Sequence, residues 1–154
     1  MREYQIYTAG KMSGISNDEQ MKWRYEIDIA IGEIIRNCGL DRIIKVNMVH
    51  PPRYYSYGED YHKSEREVKE WDTTRVMQSD IVIVNTDYVA DSTGTHYELA
   101  MCDAVNRLTN NHIFVVGIGN TKPENLHPWI AESIMRYEHD IQDAAEYIVN
   151  YLLI

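Results

Sequence analysis

Apolar positions along this chain alternate between two rhythms. Ile81-Val-Ile-Val-Asn85 and His112-Ile-Phe-Val-Val-Gly117 are continuous apolar runs without polar alternation, the pattern of parallel strands covered on both faces. Between such runs the spacing becomes helical. Ile27, Ala30, Ile31, Ile34 and Ile35 form a stripe that opens at a capping box, Ser16-Asn-Asp-Glu19, and stops at Cys38-Gly39, where glycine can end a helix. A first strand, around Tyr4-Gln-Ile-Tyr7, precedes this helix, and Ile43 to Val49 predicts a second strand, stopped by His50-Pro51-Pro52. The tyrosine-rich stretch from Arg53 to Lys63 reads as an exposed loop, and a second capping box, Ser64-Glu-Arg-Glu67, opens the next helix. Ser133 to Tyr137 predicts a fifth strand, and Ile141 to Leu153 a final amphipathic helix with Ala144, Ile148 and Leu152 aligned.

Alternating strands and helices predict an α/β, three-layer flavodoxin-like or Rossmann-like fold with a mainly parallel sheet of about five strands. At 154 residues, with no linker, repeat or low-complexity tract, the chain reads as one domain, 1–154. In such sheets a ligand sits beyond the carboxyl ends of the strands, where the strand order reverses. That edge gathers Tyr7 to Ser13, His50 to Tyr55 and Asp87 to Glu98.

A formal net charge of −9 argues against gripping a nucleic-acid polymer, which requires clustered Lys and Arg. Cys38 and Cys102 form no close pair, so neither a disulfide framework nor a zinc site is indicated. The six histidines show no ligand spacing on one face, so no metal or other cofactor is assigned. No stretch approaches the roughly 20 apolar residues that span a bilayer, and Met1-Arg-Glu is not followed by a signal-type apolar run; a cytoplasmic location is expected.

Candidate chemistry concentrates in Asp91-Ser-Thr-Gly-Thr-His-Tyr-Glu98-Leu-Ala, just after a buried strand. A helix starting at Gly94-Thr95 puts Glu98 in its first turn, on one face with Cys102 and Val105, and so pointing inward. An inward carboxylate is costly unless it is used or satisfied. Thr95-x-x-Glu98 also fits a capping box, in which the glutamate only bonds the cap residue's amide. Asp72 shares a face with Val68 and makes a second inward carboxylate, or a surface aspartate paired with Arg75 or Arg66. Tyr7 ends the first strand, where it either orients a catalytic group or packs. Gly10-Lys-Met-Ser-Gly14 matches neither a Walker sequence nor G-x-G-x-x-G, which leaves little support for a triphosphate or dinucleotide.

Taken in order, Tyr4 to Gly14, Trp71-Asp72, Gln78-Ser-Asp80 and the Gly94-Thr-x-x-Glu98-Leu motif resemble the nucleoside 2-deoxyribosyltransferase family and the related 2'-deoxynucleoside 5'-monophosphate N-hydrolases, over roughly the first two thirds of the chain. The resemblance implies that Glu98 is the nucleophile at the anomeric carbon, that Tyr7 orients it and that Asp72 handles the base. It also implies a homo-oligomer whose site is completed by a neighbour, with Asn125-Leu-His-Pro-Trp129 offering His127 and Trp129 over the ligand.

Such a reaction suits two carboxylates. Departure of a base leaves positive charge on the sugar, which a carboxylate stabilises or captures covalently, as in retaining glycosidases. A second base or water then releases the sugar, and the leaving base needs a proton or hydrogen bond. Gly10, Lys11, Ser13, Asp91, Ser92 and Gly94 are the expected substrate-binding residues. Transferases resembling this chain carry an aspartate two residues before Gly-Thr, where Ser92 stands here, whereas the hydrolases carry a phosphate-binding serine. Ser92 and Lys11 therefore lean toward a nucleotide, while Ser13, where the hydrolases have arginine, and the Gly-Thr form lean away. A non-catalytic nucleotide-sensing domain is the alternative reading. The tyrosines of the 53–61 loop stack on a base or make a subunit contact.

Overall fold

The computed structural model describes residues 1–54 and 62–154, so most of the expected tyrosine-rich loop lies outside the described residues. Strands β1 (Arg2–Ala9), β2 (Ile44–Val49), β3 (Ile81–Asn85), β4 (Phe114–Ile118) and β5 (Arg136–Glu138) form one sheet in the order β2-β1-β3-β4-β5. Every neighbouring pair is parallel. This is the flavodoxin-like order, whose switch point lies between β1 and β3.

Helices α1 (Asn17–Asn37), α2 (Glu65–Met77), α3 (Thr93–Leu108), α4 (Pro128–Glu132) and α5 (Ile141–Tyr147) complete the fold. Alternate strand residues face opposite layers. Ile6, Ile81, Ile83 and Val116 pack with Ile27, Ile31 and Ile35 of α1 and Ala144, Ala145 and Ile148 at the carboxyl-terminal helix. Tyr7, Val82, Val84 and Val115 pack on the other face with Val76 of α2 and Leu99, Cys102 and Val105 of α3. No helix among the described residues is long and apolar enough to cross a membrane.

Of both expected capping boxes the serine half forms: Ser16 Oγ accepts from the Glu19 amide and Ser64 Oγ from the Glu67 amide, each at 3.2 Å, while the Glu67 carboxylate accepts from the Lys63 amide. Elsewhere boundaries move for local reasons. β2 begins at Ile44, because Ile43 closes a 3-10 turn by donating to the Leu40 carbonyl at 2.9 Å. β4 begins at Phe114, because Asn106 holds both backbone groups of Ile113, at 2.7 and 2.9 Å. The fifth strand covers only Arg136–Glu138, since Ser133 still belongs to the end of α4, its amide donating to Ile130. The last helix widens to a π turn over Ile148–Leu152, and Leu153 N donates to Ile148 O at 3.0 Å. That extra residue in the turn puts Leu153, 2% exposed, in the core in place of the expected Leu152.

Candidate active site

α3 starts earlier than its sequence suggests. Ser92, not Thr95, is the cap: its Oγ accepts from the Thr95 amide at 3.4 Å and lies 2.7 Å from Thr95 Oγ1. Glu98 therefore stands in the second turn, beyond reach of the cap amide, and the capping-box reading of Thr95-x-x-Glu98 does not hold. Glu98 is instead buried on the face that carries Leu99, Cys102 and Val105 against the sheet.

β1 delivers Tyr7 to the same place. Its side chain is fully buried on the α2/α3 face, and the strand then runs through Ala9 into Gly10. Among the described residues, Tyr7 Oη and Glu98 Oε2 are both buried without a hydrogen-bond partner. The phenol is near enough to draw the Glu98 carboxyl back toward ionisation, yet the contact falls outside hydrogen-bond geometry, leaving both groups able to engage a ligand.

Asp72, on α2, completes the constellation. It lines a cavity of about 620 Å³ together with Glu98, Gly10, Lys11, Ser13, Asp91, Ser92 and Gly94. The structure thus brings two of the three expected catalytic residues and all six binding residues from the first loop and the α3 entry to one cavity, with Tyr7 behind it. A smaller pocket of about 260 Å³ between α2 and α3 shares Val68, Asp72, Gly94 and Glu98 and extends to Tyr97. His127 and Trp129 lie elsewhere: they sit at the start of α4, where His127 Nδ1 accepts from the Trp129 amide at 3.3 Å and Trp129 is 79% exposed. They do not line the cavity of their own chain.

Electrostatics follow from burial. Desolvation, reinforced by the negative charge of Asp72, pushes the Glu98 carboxyl up to about 8, against the opposing pull of Tyr7 and Arg24. Desolvation first, then Glu98 and Asp72, hold the Tyr7 phenol well above its ordinary value, so it is a neutral donor. Cys102, one turn beyond Glu98, is pushed up to about 12 by burial and is an inert core thiol. Among the described residues the cavity lining carries four carboxyl groups, from Glu65, Asp72, Asp91 and Glu98, and one cation, Lys11, which lies 5.9 Å from the Tyr88 ring centroid. Tyr88 has φ 66°, a left-handed conformation rare for an aromatic residue, at the turn that carries the chain from β3 toward α3.

Arg24, which the sequence reading did not single out, and His50, which it placed only at the carboxyl edge of the sheet, are 0% and 1% exposed. Arg24 lies on the apolar face of α1, three residues from both Met21 and Ile27, and a cation inside such a stripe was the available signal. Among the described residues, no group of three or more His, Cys, Asp or Glu side chains is arranged to hold a metal ion.

No protein-family model matches the chain, and no curated protein matches it in sequence. A solved structure of the 2-deoxyribosyltransferase from the psychrotolerant bacterium Bacillus psychrosaccharolyticus is similar, with a TM-score of 0.55 and 22% identity over 93% of this chain and 91% of that one. The chain shares the fold of that enzyme, along nearly the whole length of both.

Proposed function

We propose that the protein cleaves the N-glycosidic bond of a nucleoside, with Glu98 as the covalent nucleophile. The observation that carries this reading is a buried carboxylate between a neutral phenol and a second carboxylate, facing a cavity at the sheet's switch point. The motif resemblance and the shared fold support it from independent directions.

Glu98 attacks the anomeric carbon as the carbon–nitrogen bond breaks, and the bonding electrons leave with the base. In the reactive form Glu98 is the ionised member of the pair and Asp72 carries the proton, which it gives to the departing base. A sugar ester on Glu98 results. A second base, or water, then attacks the same carbon, the ester bond breaks, Asp72 takes back the proton and the Glu98 carboxylate is restored. Tyr7 donates to the carboxylate oxygen left outside the new bond. Burial keeps the carboxylate poorly solvated and therefore reactive.

The cavity lining favours an unphosphorylated nucleoside over its 5'-monophosphate. Among the described residues the acidic side chains of the lining outnumber its one lysine and oppose a phosphate dianion, and Ser92 Oγ is already engaged as the helix cap. Asp91, at the cavity edge, is the candidate acceptor for a 5'-hydroxyl. Trp129, exposed beside His127, supports the expectation of a homo-oligomer in which this segment reaches a neighbouring site.

The test is a panel of nucleosides and 5'-monophosphates, with and without an acceptor base, read by chromatography of free base. Base release from the nucleosides supports the reading; an acceptor-dependent new nucleoside identifies transfer. Ligand binding with no base release identifies a sensing domain and overturns it.

A further inference from the structure

The fully buried Arg24 is the strongest polar feature outside the constellation of Tyr7, Asp72 and Glu98. α1 runs along the opposite layer of the sheet, but its amino-terminal turns end beside the carboxyl edge of β1. From there the guanidinium reaches under the first loop. Nη2 donates to the Gly10 carbonyl at 3.2 Å and Nε to Thr8 Oγ1 at 3.2 Å, both atoms also approach the Thr8 carbonyl at 3.4 Å, and Nη1 donates to the Gln20 carbonyl. These acceptors are all neutral. Among the described residues no carboxylate makes an ion pair with Arg24, an unusual state for a buried charge.

Gly10 shows how tightly the arrangement is built. A side chain there would meet Trp23 Cζ2 at 2.9 Å and Arg24 Nη2 at 3.4 Å, so only glycine lets the loop lie on the guanidinium. Gly10 also lines the cavity, which places the Arg24 charge directly behind the cavity wall.

We propose, on the reading that Glu98 is the nucleophile, that Arg24 is its positioning residue: the buried guanidinium, clamped to the carbonyls of Thr8 and Gly10, supplies a fixed positive charge behind the cavity wall that favours the ionised, nucleophilic form of Glu98. The acidic groups that face it are Glu98 on α3, the neutral phenol of Tyr7 on β1 and Asp72 on α2. Burial draws the guanidinium down to about 10, which leaves it protonated at neutral pH, and it in turn pulls the Glu98 carboxyl down. Glu65, Asp91 and Lys11 share the cavity but stand at its wall toward solvent. Behind Arg24, Thr8 Oγ1 lies 2.8 Å from His50 Nδ1, and His50 Nε2 lies 3.0 Å from Asp28 Oδ2. This chain fixes Thr8, and through it the guanidinium, from the far side.

The test reads the Glu98 proton without requiring catalysis. The stability gap between the parent and its Glu98→Gln variant widens with pH while the unfolded chain has ionised Glu98 and the folded protein still holds its proton, and it levels off near the folded-state pKa, about 8. On an Arg24→Met background the levelling-off should move up by about one pH unit or more. The acidic limb of kcat/KM for base release should move with it, and Arg24→Lys should restore both toward the parent. If Arg24→Met does not fold, Arg24→Gln removes the charge while keeping donors for Gly10 and Thr8, and the same displacement is expected. A gap that still levels off at about 8 in a folded, uncharged variant overturns the proposal and leaves Arg24 as a loop anchor. A parent that releases no base overturns the proposed function instead, while the stability comparison still decides whether Arg24 sets the charge of Glu98.

Discussion

The two faces of the sheet use alternate residues of the same strands and hold different interiors. Toward α1 and α5 the strands present Ile6, Ile81, Ile83 and Val116, met by Ile27, Ile31 and Ile148. Toward α2 and α3 they present Tyr7, Val82 and Val84, met by Leu99 and Cys102, and at the carboxyl edge by the buried Glu98. The first interior needs only shape and volume to be satisfied. The second contains, among the described residues, a phenol and one carboxyl oxygen without hydrogen-bond partners, a state that costs about 1–3 kcal/mol for each buried group. Stability is concentrated on one face, and on the other some of it is given up for a reactive group.

The sharpest way to break this comparison is to remove the carboxylate. Glu98→Ala should lower base release on the order of 10³-fold or more while the protein stays folded. Near-normal turnover in a folded variant would make the polar edge as structural as the apolar face. The reciprocal change is Ile31→Ala, on the α1/α5 side, where Ile31 is 1% exposed. It should cost about 2–5 kcal/mol in denaturant unfolding. The kcat of the fraction that remains folded should hardly change.

A third experiment measures what the polar face gives up. The folded-state pKa of Glu98, about 8, lies above its ordinary value of 4.5, so ionisation penalises the folded state. The penalty is absent below pH 4.5, grows as pH rises, and is complete above about 8. Glu98→Gln should therefore be nearly neutral at pH 4.5 and stabilising at pH 8 by a few kcal/mol, at about 1.4 kcal/mol for each pH unit between. Equal stability of the two proteins across that range, by calorimetry, would mean that Glu98 is not strained by burial.

Much of this division was legible in the sequence. The runs at Ile81–Val84 and Phe114–Val116 marked the central strands because strands buried on both faces carry little polar punctuation. Glu98 was legible because it shares a helical face with Cys102 and Val105. Its exemption from capping was not, since both Ser92 and Thr95 are cap-forming residues and only the observed start of α3 chooses between them. Arg24 showed only as a cation inside the apolar stripe of α1; its role was hidden because most of its acceptors are backbone carbonyls, of Thr8, Gly10 and Gln20, which leave no trace in side-chain pattern. The five-residue α4 was equally silent, as a single turn and a half offers no periodicity to read.

The smallest expected effect separates the cap from the site. Ser92→Ala should cost about 0.5–2 kcal/mol of stability through the lost α3 cap. It should leave the ratio of kcat/KM for nucleoside and 5'-monophosphate unchanged, because the Ser92 hydroxyl is spent on Thr95. A ratio that moves toward the nucleoside in the variant would show that Ser92 holds a phosphate.

The claim beneath all of these is that Glu98 bonds to the sugar. A nucleoside fluorinated at the 2' position should reveal it, because fluorine opposes positive charge at the anomeric carbon and slows release of the ester. Intact-mass and peptide spectra after mixing should show one sugar added to the peptide that carries Glu98, and none in Glu98→Gln. Steady base release from the parent with no adduct, or an adduct on another residue, would contradict the account.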